Sequence, residues 1–209
     1  MRAAARRALG LARRRKQIKR YLSSHGRRKL QLGAGEHRRE GWLNTDLHDY
    51  GLGHVYLDVR RRFPLPDASF DFVFSEHMLE HLTYEQGQRC LRECLRVLRP
   101  GGRIRIATPS LERLAALYGG AQRRYVEWAV ETLEPETDAP LPGVVINNFF
   151  RSWGHRFIYD PETLRHALTQ AGFVDVEEVA VGELEQHLAE HPEFNAYETI
   201  VFEARKSGH

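Results

Sequence analysis

The segment Lys29-Leu30-Gln31-Leu32 runs without a break into Gly33-Ala34-Gly35, and thirteen residues after Gly33 a second short run, Trp42–Asp46, ends on an acid. An apolar-alternating run that breaks directly into two glycines reads as a strand closing on a sharp turn, where a ligand can approach the backbone closely. A carboxylate ending the next strand can accept hydrogen bonds from both hydroxyls of a ribose. A dinucleotide would ask for a third glycine so that a helix could pack close. That place holds Arg38, and the Gly35–Trp42 connection is short for a crossover helix. Both facts argue against a pyrophosphate seated on a helix N-terminus.

Further short strands are expected at Val55–Asp58, Phe70–Phe74, Arg103–Thr108, Phe173–Val179 and Tyr197–Arg205. Between them lie helical patterns. Leu91, Cys94, Leu95 and Leu98 follow i, i+3, i+4, i+7 spacing in a helix from about Tyr84 to Leu98, which Arg99-Pro100-Gly101-Gly102 stops. Leu111, Leu114, Ala115 and Tyr118 mark another helix, residues 122–134 one more, and a loop is expected from Pro135 to about Asn148. Asp160-Pro161 starts a helix with Asp as N-cap, Leu164, Ala167, Leu168 and Ala171 face the core, and Gly172 stops it. Strands alternating with helices imply an α/β domain with a mainly parallel sheet and helices on both faces. Its ligand belongs at the carboxyl ends of the strands, near the switch in strand order.

Charge divides the chain unevenly. Of 31 Lys and Arg, 12 lie within residues 1–29, which hold no Asp or Glu; the other 19 face 28 acids. Ala4, Ala8, Leu11, Ile18 and Leu22 recur at helical spacing, so residues 3–22 read as a basic amphipathic helix ended by Ser23-Ser24-His25-Gly26. The chain therefore divides into a basic arm, 1–28, and a domain, 29–209. The arm is either a solvated helix or a surface for nucleic acid, an anionic membrane surface or an acidic partner. No run approaches the roughly 18 apolar residues of a membrane helix, so no transmembrane segment is expected. The N-terminus lacks the apolar block of a secretory signal, and the simplest location is the cytoplasm. Cys90 and Cys94 share one helical face, which suits small core residues and aims them poorly for a disulfide.

LQLGAG, WLNTDL, LDVRRRFPLPDASFDFVFSEHMLEHL and LRECLRVLRPGGRIRIATP, in that order, resemble the successive motifs of the class I S-adenosylmethionine (SAM)-dependent methyltransferases. The nearest likeness is to the broad type 11 group of small-molecule methyltransferases, over roughly residues 29–180. The resemblance implies a Rossmann-like, doubly wound, mostly parallel seven-stranded sheet with SAM as cofactor. It places Gly33, Ala34 and Gly35 beneath the methionine part of SAM, and Asp46, with Leu47 beside it, at the ribose. Asp58 would meet the adenine amino group and Val59 would flank the ring. Ser75, Glu76 and His77 would border the sulfonium and methionine end. His37 stands where many members carry a further glycine.

Methyl transfer from a sulfonium is an in-line displacement, in which the enzyme chiefly aligns nucleophile and methyl. A hydroxyl nucleophile gains from a general base or a metal that lowers its pKa. If SEHMLEHL is helical, His77, Glu80 and His81 share one face. The pattern is similar to the Glu-x-x-Glu-His that binds a divalent ion in ubiquinone-pathway and small-RNA 2′-O-methyltransferases, with His77 in place of the first Glu. The favoured reading is a helix start with one cofactor-facing His; a divalent metal is the alternative. In NNFFRSWGHRFIYDPETL, His155, Arg151 and Tyr159 are candidates for base, anion clamp and hydrogen-bond donor, against a packed aromatic connector. The catalytic candidates are thus His77, His81 and His155. No Asn/Asp-Pro-Pro-Tyr/Phe motif is present, and neither cysteine is placed as a nucleophile. O-methylation of a small-molecule hydroxyl, on a sugar, natural product or lipid head group, is the preferred class. An RNA methyltransferase using the basic arm and a non-catalytic SAM-binding interaction protein are the alternatives. No motif speaks to oligomeric state.

Overall fold

The computed structural model describes residues 2–48, 52–120, 122–133, 135, 137–180 and 197–208, without the side chains of 2–10 and 12. The strands are β1 Lys29–Leu32, β2 Leu43–Asp46, β3 Val55–Tyr56, β4 Phe70–Glu76, β5 Leu98–Pro109, β6 Val174–Val179 and β7 Thr199–Arg205. They form one seven-stranded sheet in the order β3-β2-β1-β4-β5-β7-β6. β1 to β5 pair in parallel, and β7 runs antiparallel between β5 and β6. The strand order switches between β1 and β4, the place at which open α/β sheets generally bind their ligands. Register brings the exits together: Leu32 lies opposite both Thr45 and Ser75, and Glu76 opposite Ala107.

The helices are α1 Arg2–Ser24, α2 Tyr84–Val97, α3 Leu111–Ala116, α4 Arg123–Leu133, α5 Pro142–Arg151 and α6 Pro161–Ala171. α2 begins at a capping box: the Thr83 side chain accepts from the Gln86 amide while the Gln86 side chain accepts from the Thr83 amide. Its buried stripe includes Cys90, Leu91, Cys94 and Val97. Both cysteines are free and buried, and the hydrogen bond with Cys90, together with burial, pushes the Cys94 thiol well up. In α6 the Asp160 carboxylate accepts from the Thr163 amide at 2.7 Å, and Leu164, Ala167, Leu168 and Ala171 are buried as their spacing requires. These stripes close over Leu30, Leu32, Val73, Ile104, Ile106 and Phe202 of the sheet. Each such side chain contributes about 1.5–3 kcal/mol by leaving water.

The β1–β2 connection contains no helix, as its shortness demands. Trp42, Phe72 and Phe74 form a small separate cluster instead, and the guanidinium of Arg39 lies 4.2 Å from the centre of the Phe74 ring. Asn44 fixes this loop by accepting from the Arg39 amide and donating to the Arg39 carbonyl, both at 2.8 Å.

α1 is anchored by its C-terminal half. Ile18 and Tyr21 are buried, whereas Leu11 is 41% exposed, and the Ala4 and Ala8 side chains lie outside the described residues. Tyr21, which apolar spacing did not select, stacks on Phe70, and its hydroxyl accepts from the Lys29 amide at 2.8 Å. A second difference is α5, which occupies much of the expected Pro135–Asn148 loop. Pro142 stands in its first turn, where the missing amide hydrogen costs nothing.

Candidate active site

The Gly33–Gly35 turn sits where β1 meets its neighbours. Gly33 has φ +63°, and a Cβ there would lie 2.4 Å from Met78 Cγ. Only glycine lets the turn pass this close to the segment after β4. Gly35 has φ +52° and nothing within 4 Å of a would-be Cβ, so it faces open space. Ala34 is buried, its amide bonded to the Thr45 carbonyl at 3.0 Å. Asp46, at the end of β2, accepts from the Gly35 amide through Oδ2 at 2.9 Å and from the His48 amide through Oδ1 at 2.8 Å. Leu47, beside it, is 38% exposed.

Asp58 is more heavily engaged. Arg60 donates Nε to Oδ1 at 2.8 Å and a terminal nitrogen to Oδ2 at 3.0 Å, and the Arg60 amide adds a third bond to Oδ1. The side-chain bond from Arg60 leads in holding the Asp58 carboxyl below its usual range, against the opposing effect of burial. Asp58 therefore acts as a loop cap here, and Val59 packs against the main core. At the end of β4 Ser75 is buried, and Glu76 pairs with Arg39 at 3.5 Å.

SEHMLEHL is not one helix. Only Leu79–His81 forms a single 3-10 turn, and His77 precedes it with φ +45°. The common helical face expected for His77, Glu80 and His81 is therefore replaced by a bend. A non-glycine residue held in the left-handed region costs of order 1–3 kcal/mol and persists where its surroundings over-determine it. Here the His77 amide is tied to the Ala107 carbonyl at 3.0 Å. Its ring places Nδ1 3.3 Å from Glu80 Oε1 and Nε2 3.3 Å from Thr199 Oγ1. The Glu80 side chain is fully buried, and its Oε2 accepts from the Thr108 hydroxyl at 3.1 Å. Burial opposes charge on both partners. Their mutual attraction nonetheless raises the His77 pKa and lowers that of Glu80.

His155 arrives from a distant segment. The Glu80 carbonyl accepts from the Arg156 amide at 2.8 Å and the Phe157 amide at 3.1 Å, stitching residues 155–157 onto the 3-10 turn. Trp153 and Gly154 both have positive φ and bend the chain into place. The His155 and His81 rings then meet edge to face, 5.0 Å between centroids. His155 Nδ1 lies 2.6 Å from the Phe149 carbonyl, and burial leads in lowering its pKa. Among the described residues, Glu80, His81 and His155 bring three potential metal-ligating atoms within 4.8 Å of one another. His77 stands behind Glu80.

Two other candidates separate from this cluster. Tyr159 is fully buried, with its hydroxyl so close to Gly87 that a Cβ there would lie 2.6 Å away, and burial drives its pKa up. It is a core residue, not a donor to an acceptor. Arg151 is exposed and lines a cleft of about 530 Å³ with Tyr118, Leu141, Asn147, Asn148 and Ser152.

Residues 40–106 match the model of a methyltransferase domain family. A probable SAM-dependent methyltransferase of Mycolicibacterium smegmatis is 51% identical over 77 residues, 32% of this chain and 29% of that protein. One of Mycobacterium tuberculosis is 35% identical over 113 residues, 54% of this chain and 30% of that protein. The matched part thus spans under a third of these relatives' own length. The crystal structure of a SAM-dependent methyltransferase from Archaeoglobus fulgidus superposes with a TM-score of 0.56 at 20% identity, covering 96% of this chain and 94% of that one.

Residues 40–106 thus match a methyltransferase domain family, and the chain shares the fold of a solved SAM-dependent methyltransferase.

The residues that the resemblance assigns to SAM leave room for it. Gly35 leaves room at its open face, and Asp46 has spent only two of about four lone-pair sites, so ribose hydroxyls can take the rest. At Asp58, Arg60 must yield before an adenine amino group can bond to the carboxylate; its side chain is 48% exposed and can swing away. Sequence reasoning missed Met78 against Gly33, Thr108 on Glu80, and Thr199 on His77. All three depend on which strand ends become neighbours, and no local pattern announces them.

Proposed function

We propose that the protein transfers the methyl group of SAM to a hydroxyl of a small molecule. The observation that carries the reading is Asp46, ending β2 with Oδ2 on the Gly35 amide of the turn and Oδ1 on the His48 amide, while keeping lone pairs to spare. SAM supplies an activated methyl group. The acceptor oxygen forms the new bond to the methyl carbon as the carbon–sulfur bond breaks, its electron pair passing to sulfur to give S-adenosylhomocysteine. The domain's own task is to align the two and dispose of the hydroxyl proton.

The His81–His155 edge is the group suited to that proton. With Nδ1 donating to the Phe149 carbonyl, His155 offers Nε2 as an acceptor, and burial keeps the ring neutral. Both His77 ring nitrogens already face partners, Nδ1 toward Glu80 and Nε2 toward Thr199. The apolar-walled cleft ending at Asn147, Asn148 and Arg151 is suited to the body of a small acceptor. An RNA acceptor is the second reading, favoured by the exposed Arg13, Arg15, Lys16, Lys19 and Arg20 on α1. It requires activity that falls steeply with salt and on deletion of residues 1–28.

Asp46→Ala is expected to weaken SAM binding by at least about 100-fold, close to 3 kcal/mol, because charge-assisted hydrogen bonds are lost to both ribose and turn. Calorimetry with SAM measures it, and circular dichroism checks the fold. Unchanged affinity would remove the assigned site.

A further inference from the structure

Glu80, His81 and His155 come from two segments about seventy residues apart in sequence, yet their donor atoms gather within 4.8 Å. We propose that these three side chains bind one divalent first-row transition ion, with His77 as an outer partner of the carboxylate.

Three observations carry this beyond proximity. First, the Nδ1 edge of His155 lies 2.6 Å from a backbone carbonyl. That contact fixes the tautomer with a bare Nε2 pair, the arrangement that metal-binding imidazoles adopt. Second, the Glu80 carboxylate is fully buried and only half satisfied. Oε2 has Thr108, but among the described residues Oε1 has no hydrogen-bond partner and lies 3.3 Å from His77 Nδ1. A buried carboxylate oxygen in that condition is costly unless a cation completes it. Third, the ligand segments are already pinned to each other by the two backbone bonds onto the Glu80 carbonyl, so little order remains to be created on binding.

Ligand atoms about 2.1 Å from a tetrahedral ion sit about 3.4 Å apart, so side-chain rotation of order an ångström completes the set. Two imidazole nitrogens and one carboxylate oxygen favour Zn²⁺, Mn²⁺, Fe²⁺ or Co²⁺ over Mg²⁺, which prefers an all-oxygen shell. Three protein ligands leave at least one position open. On the functional reading above, that position takes the acceptor oxygen, whose pKa the ion lowers; the ion then replaces the His155 edge as the group that eases proton loss. Ion binding itself does not depend on that reading.

The test uses the full chain, freed of metal by chelator and dialysis. Co²⁺ is titrated while visible absorption is followed, and Zn²⁺ binding is measured by calorimetry, both without SAM or acceptor. One ion per chain is expected. His81→Ala and His155→Ala are each expected to weaken binding at least 10-fold, and His166→Ala, exposed on α6, to leave it unchanged. Circular dichroism reports folding; should His155→Ala not fold, His81→Ala decides. No binding, or binding indifferent to both substitutions, would overturn the proposal. SAM affinity of the stripped protein is measured alongside. Loss of the cofactor reading with ion binding intact, or the reverse, separates the two proposals.

Discussion

At Gly33 an added Cβ would press on both Cγ and Cβ of Met78, and the backbone is left-handed besides. Gly33→Ala is therefore expected to cost about 2 kcal/mol of stability, as strain and overpacking together, measured by urea unfolding. Gly35→Ala meets no atom, so it should cost about 1 kcal/mol in stability and show its main effect in weaker SAM binding. The two glycines look alike in sequence. One closes the turn against the neighbouring segment and the other faces open space, a distinction that depends on Met78 and so was not legible. Asp58 shows the same limit from the other side. Its position was readable by resemblance, but the bidentate hold of Arg60 two residues on was not. Removing that hold with Arg60→Ala should leave SAM affinity unchanged or raise it by a few-fold, since a half-exposed pair is worth about 0–1 kcal/mol. A large loss, read by calorimetry, would mean that Arg60 itself contacts the cofactor.

Elements with their own start and stop signals were read correctly. α6 has Asp160, Pro161 and Gly172 at its ends and appears where they place it. α2 is held at its start by the reciprocal Thr83–Gln86 box, so Thr83→Ala is expected to lower stability by about 1 kcal/mol by leaving the first-turn amides unpaired. Thermal unfolding measures this. Elements without such signals were misread. α5 begins at Leu141 with no side-chain cap, inside a stretch where Pro135, Pro140 and Pro142 suggest a loop. The 77–81 segment has helical spacing, but the His77 amide is drawn to β5, and the chain bends before it can wind. That bend separates His77 from His81 and leaves His81 for His155. Three catalytic candidates were legible as residue types; their partition into a His–carboxylate contact and an imidazole pair was a tertiary outcome.

For the whole molecule, the mostly parallel sheet followed from strand–helix alternation, while the antiparallel β7 required the long-range pairing with β5. The same long-range logic ties the loop after β3 to the core through a cluster that no motif marks. Arg96 on α2 reaches Asp67 and the carbonyls of Phe63 and Leu65, and Glu93 accepts from the Phe63 amide at 2.7 Å and pairs with Arg96 at 2.6 Å. The loop from Asp58 to Asp67 is thus clamped to α2. Burial works against the Glu93 charge, but bonds from Arg96 and Phe63 outweigh it and hold its pKa below the ordinary value. A depressed folded-state pKa contributes stability above the unfolded value, about 4.3 for Glu, and that contribution disappears as pH falls through the folded value. Asp58 and Asp67, also depressed, act in the same direction. Stability should therefore fall as pH drops below about 4.5. Glu93→Gln should lower stability at pH 7 by about 2 kcal/mol, since a charged hydrogen-bond partner is lost from a mostly buried site, and should flatten the acid slope. Urea unfolding of both proteins from pH 7 to pH 3 decides it. Parallel pH curves, offset but equally steep, would show that the clamp does not supply the acid sensitivity.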